Sequence, residues 1–172
     1  MISQKMTTAL NQQIGLEARA SFLYLSMAAW CDAKGLEGCS RFMHRQSEEE
    51  RAHMLGIFEY MSEVDAHALT PGIEPVPHDF DSPQKMFQMV YEHEQKVSKS
   101  IHGLMEIAKS EGDFTTDNFL QWYIAEQREE ENLMRSILDK IKLIGDGQMS
   151  LYYIDKEIDV INIAEINKAV AE

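Results

Sequence analysis

The sequence predicts an all-α protein: a four-helix bundle with a long crossover between helices 2 and 3 and a short fifth C-terminal helix. Three observations predict it. Apolar residues recur at steps of three and four through four long segments. Short glycine-containing breaks at Lys34-Gly35 and Gly112 separate the paired segments. The one long break, residues 65–82, contains Pro71, Gly72, Pro75 and Pro77, which exclude a regular helix. A short break makes the flanking helices antiparallel neighbours, whereas a long one can run back along the bundle.

The first segment spans residues 3–32, with Ser3 as N-cap. Its stripe is Leu10, Ile14, Glu17, Ser21, Tyr24, Ala28 and Cys31, widened by Phe22, Leu25 and Trp30. The second spans 36–63, with Phe42, Glu49/Glu50, His53, Ile57, Tyr60 and Val64 on one face. In the crossover, Ile73, Val76 and Phe80 are anchors, so an ordered connection is expected rather than a loose linker. Ser82-Pro83 opens the third segment, 83–111, with a capping hydroxyl followed by proline at the first helical position. Phe87, Val90, Glu94, Val97, Ile101 and Leu104 make its stripe. The fourth, 115–144, aligns Phe119, Tyr123, Glu126, Glu130, Leu133, Ile137 and Ile141, with Gln127 and Met134 on the flank. Gly145-Asp146-Gly147 closes it. Leu151, Ile154, Ile158 and Ile161 keep helical spacing beyond that point, although Val160-Ile161-Asn162-Ile163 leans toward strand. The fifth element is read as a helix whose apolar side calls for cover by another subunit.

Residues 1–172 are read as one domain with a sizeable core. The net charge of −13 argues against nucleic acid as a partner and suits attraction of cations. No apolar run is long enough to span a membrane. Met1-Ile2-Ser3-Gln4-Lys5-Met6 lacks a signal pattern, and Cys31 and Cys39 read as reduced thiols, so a cytoplasmic location is expected.

Each long segment carries a polar interruption of its apolar stripe, close to its midpoint: Glu17, Glu50 with His53, Glu94, and Gln127 with Glu130. Midpoints meet at one level of a bundle whichever way each helix runs. Glu50-x-x-His53 aims a carboxylate and an imidazole at one spot. Any one of these residues alone reads more simply as a hydrogen-bonded core residue. Buried together, four carboxylates repel one another and need countercharge. Arg19, Arg51 and Arg128 fall off the stripes. A multivalent cation is the better answer, and oxygen donors with one imidazole suit iron or manganese.

These motifs resemble those of bacterial non-haem ferritins. The resemblance rests on Glu17, Glu49-Glu50-x-x-His53, His93-Glu94-Gln95, Phe119-Leu120-Gln121-Trp122-Tyr123 followed by Glu126-Gln127-x-Glu129-Glu130, and Leu151-Tyr152-Tyr153-Ile154-Asp155-Lys156-Glu157. Ferritin-like di-iron proteins are themselves the standard example of carboxylate sites built inside a helix bundle. The resemblance implies one iron held by Glu17, Glu50 and His53, with Glu50 bridging to a second held by Glu94 and Glu130, and Gln127 close by. It implies a third, outer iron at Glu49, Glu126 and Glu129, and an electron-donating role for Tyr24. The implied activity is a ferroxidase that oxidises Fe(II) with dioxygen and deposits ferric mineral inside a shell of 24 copies of the chain. Haem-binding relatives carry a second Glu-x-x-His on the fourth helix, where this chain has Gln127-Arg128-Glu129-Glu130, and their haem-ligating methionine would fall near Arg51. No haem is therefore expected. A di-iron oxygenase and a metal-free structural bundle are the rival readings.

Overall fold

The computed structural model of the chain describes residues 2–72 and 74–171. Five helices and no strand occur among these residues: α1 (Gln4–Ala33), α2 (Glu37–Glu63), α3 (Pro83–Glu111), α4 (Phe114–Ile144) and α5 (Ser150–Ala171). The expected stops and starts are where the sequence puts them. Ser3 Oγ accepts from the Met6 amide and Ser82 Oγ from the Lys85 amide. Gly35, Gly112 and Gly145 all take positive φ, which costs glycine no Cβ clash.

The crossover is ordered along α1. The Asn11 amide donates to the His67 carbonyl and its oxygen accepts from the Leu69 amide. Further on, Ser26 Oγ donates to the Pro77 carbonyl at 2.6 Å, and Phe80 meets Trp30 edge-on at 5.7 Å. Loop positions 67 to 80 thus track α1 from residue 11 to residue 30, about 28 Å of helix. α3 consequently starts at the end of the bundle where α2 starts and runs parallel to it. Val76 and Phe80 pack on the core as expected, while Ile73 lies outside the described residues.

The apolar core comes in two halves. One gathers Leu23, Met27, Phe42, Phe87, Met134 and Ile137 with Ile154 and Ile158 of α5. The other gathers Leu10, Ile14, Ile57, Val97, Ile101, Leu120 and Tyr123. On every long helix the polar interruption falls between the two halves.

Two stripes differ from the sequence reading. On α1, Phe22 and Leu25 are exposed, and Leu23 and Met27 are buried in their place. On α4 the buried line is Leu120, Tyr123, Gln127, Met134, Ile137 and Ile141. Gln127 and Met134 are central, Glu126 faces solvent, and Glu130 and Leu133 are half-buried. The predicted line shares Tyr123, Ile137 and Ile141 with the buried one and departs from it at Phe119, Glu126 and Leu133, each one residue short of Leu120, Gln127 and Met134.

α5 packs against α2 and α4. α2 has no side-chain cap of its own; instead Asp155 Oδ1 of α5 accepts from the Cys39 amide at 2.9 Å. A carboxylate at a helix N-terminus satisfies an otherwise orphaned donor and opposes the helix dipole. The two backbones approach so closely at Gly38 that a Cβ there would collide with the Asp155 carbonyl and lie 2.9 Å from the Asp159 Cβ. The opposite side of α5 leaves Val160, Ile163, Ile166 and Val170 exposed.

Candidate metal centre

Glu17 comes from α1, Glu50 and His53 from α2, Glu94 from α3, and Gln127 and Glu130 from α4. Glu17 is 0% exposed, Glu50 2% and Glu94 1%, which is rare for carboxylates without a compensating cation. One ligand atom each of Glu17, Glu50 and His53 lies within 4.8 Å of the others, so a single ion fits between them. His53 Nδ1 and Glu50 Oε2 are 3.6 Å apart. The i, i+3 spacing on one helix produces this convergence.

Each end of the site is held by a tyrosine from another helix. The Tyr24 hydroxyl donates to Glu94 Oε1, and Gln127 Nε2 donates to Glu94 Oε2 at 2.7 Å. The Tyr123 hydroxyl donates to Glu17 Oε1, which also accepts from Gln13 Nε2. Among the described residues three carboxylate oxygens are buried with no hydrogen-bond partner, and two of them, Glu17 Oε2 and Glu130 Oε2, belong to this layer; the third is Asp117 Oδ1 near the start of α4. Such atoms are costly unless something binds them. The layer's donor chemistry, carboxylate oxygens beside one imidazole, fits iron.

Electrostatics agree. Burial first, then the Glu17 and Glu94 charges, pushes the Glu50 carboxyl well above its usual range. Burial also raises Glu94 to about 7, opposed by the Tyr24 and Gln127 hydrogen bonds. Burial, with Glu49 and Glu94 nearby, raises Glu130 to about 8. In the metal-free molecule these acids hold protons near neutrality, and a cation would displace them. Tyr24 and Tyr123 are raised too, chiefly by burial, so both phenols are neutral.

The outer three acids differ. Glu49 is half-buried, and Glu126 and Glu129 are exposed. Glu49 pairs with Arg45 at 2.5 Å and accepts from Gln46 Nε2. Lys168 of α5 donates to Glu129 and holds its carboxyl below the usual range.

Several neighbours of the site are not evident from the sequence stripes. Gln13 stands four residues before Glu17, the spacing that puts both on one helix face, while Tyr123, already on the fourth stripe, stands four before Gln127. His93 stacks edge-on against Tyr24 at 5.9 Å, and its Nε2 is buried without a partner. Its place beside Glu94 is the available signal. Arg45 contributes a positive charge toward Glu130, a countercharge that the off-stripe Arg19, Arg51 and Arg128 did not suggest.

The family model described as a ferritin-like domain matches residues 7–144. The chain belongs to the ferritin family. It is 40% identical over 164 residues to a bacterial non-heme ferritin of Campylobacter jejuni, covering 95% of this chain and 98% of that one. It is 39% identical over 158 residues to a probable bacterial non-heme ferritin-like protein of Haemophilus influenzae, covering 92% and 96%. Among solved structures, an open pore ferritin from the hyperthermophilic archaeon Archaeoglobus fulgidus superposes with a TM-score of 0.89 at 46% identity, covering 92% of this chain and 96% of that one. Among the described residues of this ferritin no helix is long and apolar enough to cross a membrane.

Proposed function

We propose that this ferritin stores iron and that its buried polar layer is a ferroxidase centre. It oxidises Fe(II) with dioxygen and releases Fe(III) for deposition inside a hollow cytoplasmic assembly of 24 copies. The observation that carries the reading is the buried convergence of Glu17, Glu50 and His53, with Glu17 Oε2 left without a partner there and Glu130 Oε2 without one on α4. Glu17, Glu50 and His53 bind the first Fe(II). Glu50 is shared with a second, held by Glu94 and Glu130 with Gln127 alongside. Each Fe(II) yields one electron, so a pair supplies the two electrons that, with two protons, take dioxygen to hydrogen peroxide. Glu50, Glu94 and Glu130 give up their protons as the cations bind.

The protein side chains bind, orient and exclude water, while the ions polarise the oxygen. Two further electrons, one from a third Fe(II) and one, with its proton, from the Tyr24 phenol on the Glu94 carboxylate, would take the peroxide on to water with one more proton from solvent. Glu49, Glu126 and Glu129 receive ions from the centre at a third site. A second subunit covers the exposed apolar face of α5. Aerobic addition of Fe(II) to the purified chain tests the reading. Oxidation much faster than in buffer, by protein eluting at several hundred kilodaltons, is the expected result. Oxidation at the buffer rate would overturn the ferroxidase, and elution as a monomer or dimer would overturn the shell.

A further inference from the structure

Between α2, α4 and α5 lies a groove of about 770 Å³, lined by all three outer acids and by Glu130. It is not an acidic basin. Five glutamates line it, and so do five side chains of Arg and Lys. Two of these cations already occupy the outer acids. Arg45 Nη1 lies 2.5 Å from Glu49 Oε1 and its Nε donates to Asn162 Oδ1 at 2.8 Å. Asn162 belongs to α5 and is 4% exposed, so it braces Arg45 from a fixed position. Lys168, further along α5, donates to Glu129. Iron reaching Glu49 and Glu129 therefore competes with cations that α5 supports.

Arg45 is incompletely satisfied where it sits. Its Nη2 is buried with no hydrogen-bond partner, a state that costs free energy and would be relieved by swinging into the groove. The Lys168–Glu129 pair is about half exposed on both sides, so its hold is weak. Both contacts are displaceable by a doubly charged ion, which attracts a carboxylate more strongly than a single charge does.

We propose that α5 gates the outer carboxylates: Arg45, braced by Asn162, and Lys168 hold Glu49 and Glu129 closed until Fe(II) arriving in the groove displaces them. The gate rests on the ferroxidase reading given above. Arg45, Asn162 and Lys168 are positioning residues in it, and the effect is read in metal affinity rather than turnover.

Anaerobic calorimetric titration of the assembled, full-length protein with Fe(II) tests it. The native chain binds two ions tightly per subunit and a third more weakly. Lys168→Gln tightens the third about fivefold, the most that an exposed pair usually contributes. Asn162→Ala, which releases the brace, tightens it to a similar degree, and Lys168→Arg restores native affinity. Added salt shrinks the Lys168→Gln effect by screening the native pair. Lys140→Gln serves as control: it removes the same charge from the same groove, but its partner is Glu157. Lys168→Gln alone decides the matter if the buried Asn162 variant fails to fold. A third affinity unchanged in Lys168→Gln, or tightened equally in Lys140→Gln, overturns the gate while leaving the two-ion centre standing. Absence of any tight Fe(II) in the native chain overturns the proposed function and the gate together.

Discussion

The inner and outer acids of this ferritin, neighbours along the same helices, solve opposite problems. Glu50 is sealed from water and meets other carboxylates, and its carboxyl is driven up by burial. Its neighbour Glu49 opens on the groove and is already paired with Arg45. Along α4, Glu130 is raised to about 8 while Glu129 is lowered by Lys168. The inner layer is thus a set of protonated acids that a cation would deprotonate, whereas the outer set has its cations built in. Affinity follows: at the inner site metal competes only with protons for buried oxygens that nothing else neutralises, and at the outer site it gains only the difference between iron and the side chain it displaces.

The largest expected effect comes from breaking the inner side. Glu50→Ala removes the carboxylate shared by the two inner ions, and His53→Ala removes the only nitrogen donor. Even outer-shell partners of metal ligands are worth 10–100-fold, so either change is expected to weaken tight Fe(II) binding by more than about 100-fold. Fast oxidation should fall to the buffer rate. Two tight ferrous ions per subunit surviving in either variant, by anaerobic titration, would remove these residues from the ligand set.

The next effect separates the two sets by pH. In the metal-free protein Glu94 and Glu130 titrate at about 7 and about 8, above the ordinary value of 4.5. Between pH 4.5 and 8 the folded state keeps protons that the unfolded chain has released. Stability is therefore full below about pH 4.5 as far as these groups are concerned, and it is lost as pH rises through their folded values. A carboxyl raised by one pH unit on folding accounts for about 1.4 kcal/mol, so the pair contributes several kcal/mol at most. Thermal unfolding of the metal-free protein should show Tm falling from about pH 5 to about pH 8, with the trend flattened once divalent metal is bound. A Tm that rises over that interval would mean that Glu94 and Glu130 do not keep their protons in the folded state.

Much of this contrast was legible in the sequence. The polar interruptions of the stripes marked the inner layer because burying an unpaired carboxylate is so unfavourable that its recurrence on four helices needs a common cause. Glu17, Glu50, His53 and Glu94 all fall where that reasoning puts them. On α4 Gln127 and Glu130 also fall in the layer, but Glu126, which the stripe puts on the inward line, faces solvent. Glu126, Gln127, Glu129 and Glu130 crowd into five residues, and hydropathy does not say which of four polar side chains points inward. Only packing does, and it selects Gln127. The cations of the outer set were not legible at all. Arg45 and Lys168 reach the same groove from opposite ends of the sequence, and a long flexible side chain satisfies many placements of its backbone.

Gly38→Ala attacks the outer set from a distance. The added Cβ meets the Asp155 carbonyl, which belongs to helix backbone and cannot move without shifting α5. Overpacking of this kind costs about 1–3 kcal/mol. It also disturbs the cap that Asp155 gives to α2. The expected outcome is a lower Tm with the two inner ions still bound tightly, because the inner ligands come from α1 to α4. Loss of the inner ions in this variant would show that α5 supports the whole centre and that inner and outer acids are not independent.

The smallest effect lies within the inner layer. Tyr24 and Tyr123 make equivalent hydrogen bonds, one to Glu94 and the other to Glu17. Tyr24→Phe and Tyr123→Phe each remove one bond to a carboxylate, worth about 1.5–3 kcal/mol when the acceptor is charged. Much of that is recoverable in the loaded centre, where the ion takes over the carboxylate, so a change of a few-fold in Fe(II) affinity is expected from either. The rates should then part company. If Tyr24 supplies an electron, its loss slows oxygen reduction after the first turnover, whereas loss of Tyr123 leaves later turnovers in proportion to the first. Equal slowing in both variants would reduce Tyr24 to the same task as Tyr123, holding a carboxylate in place.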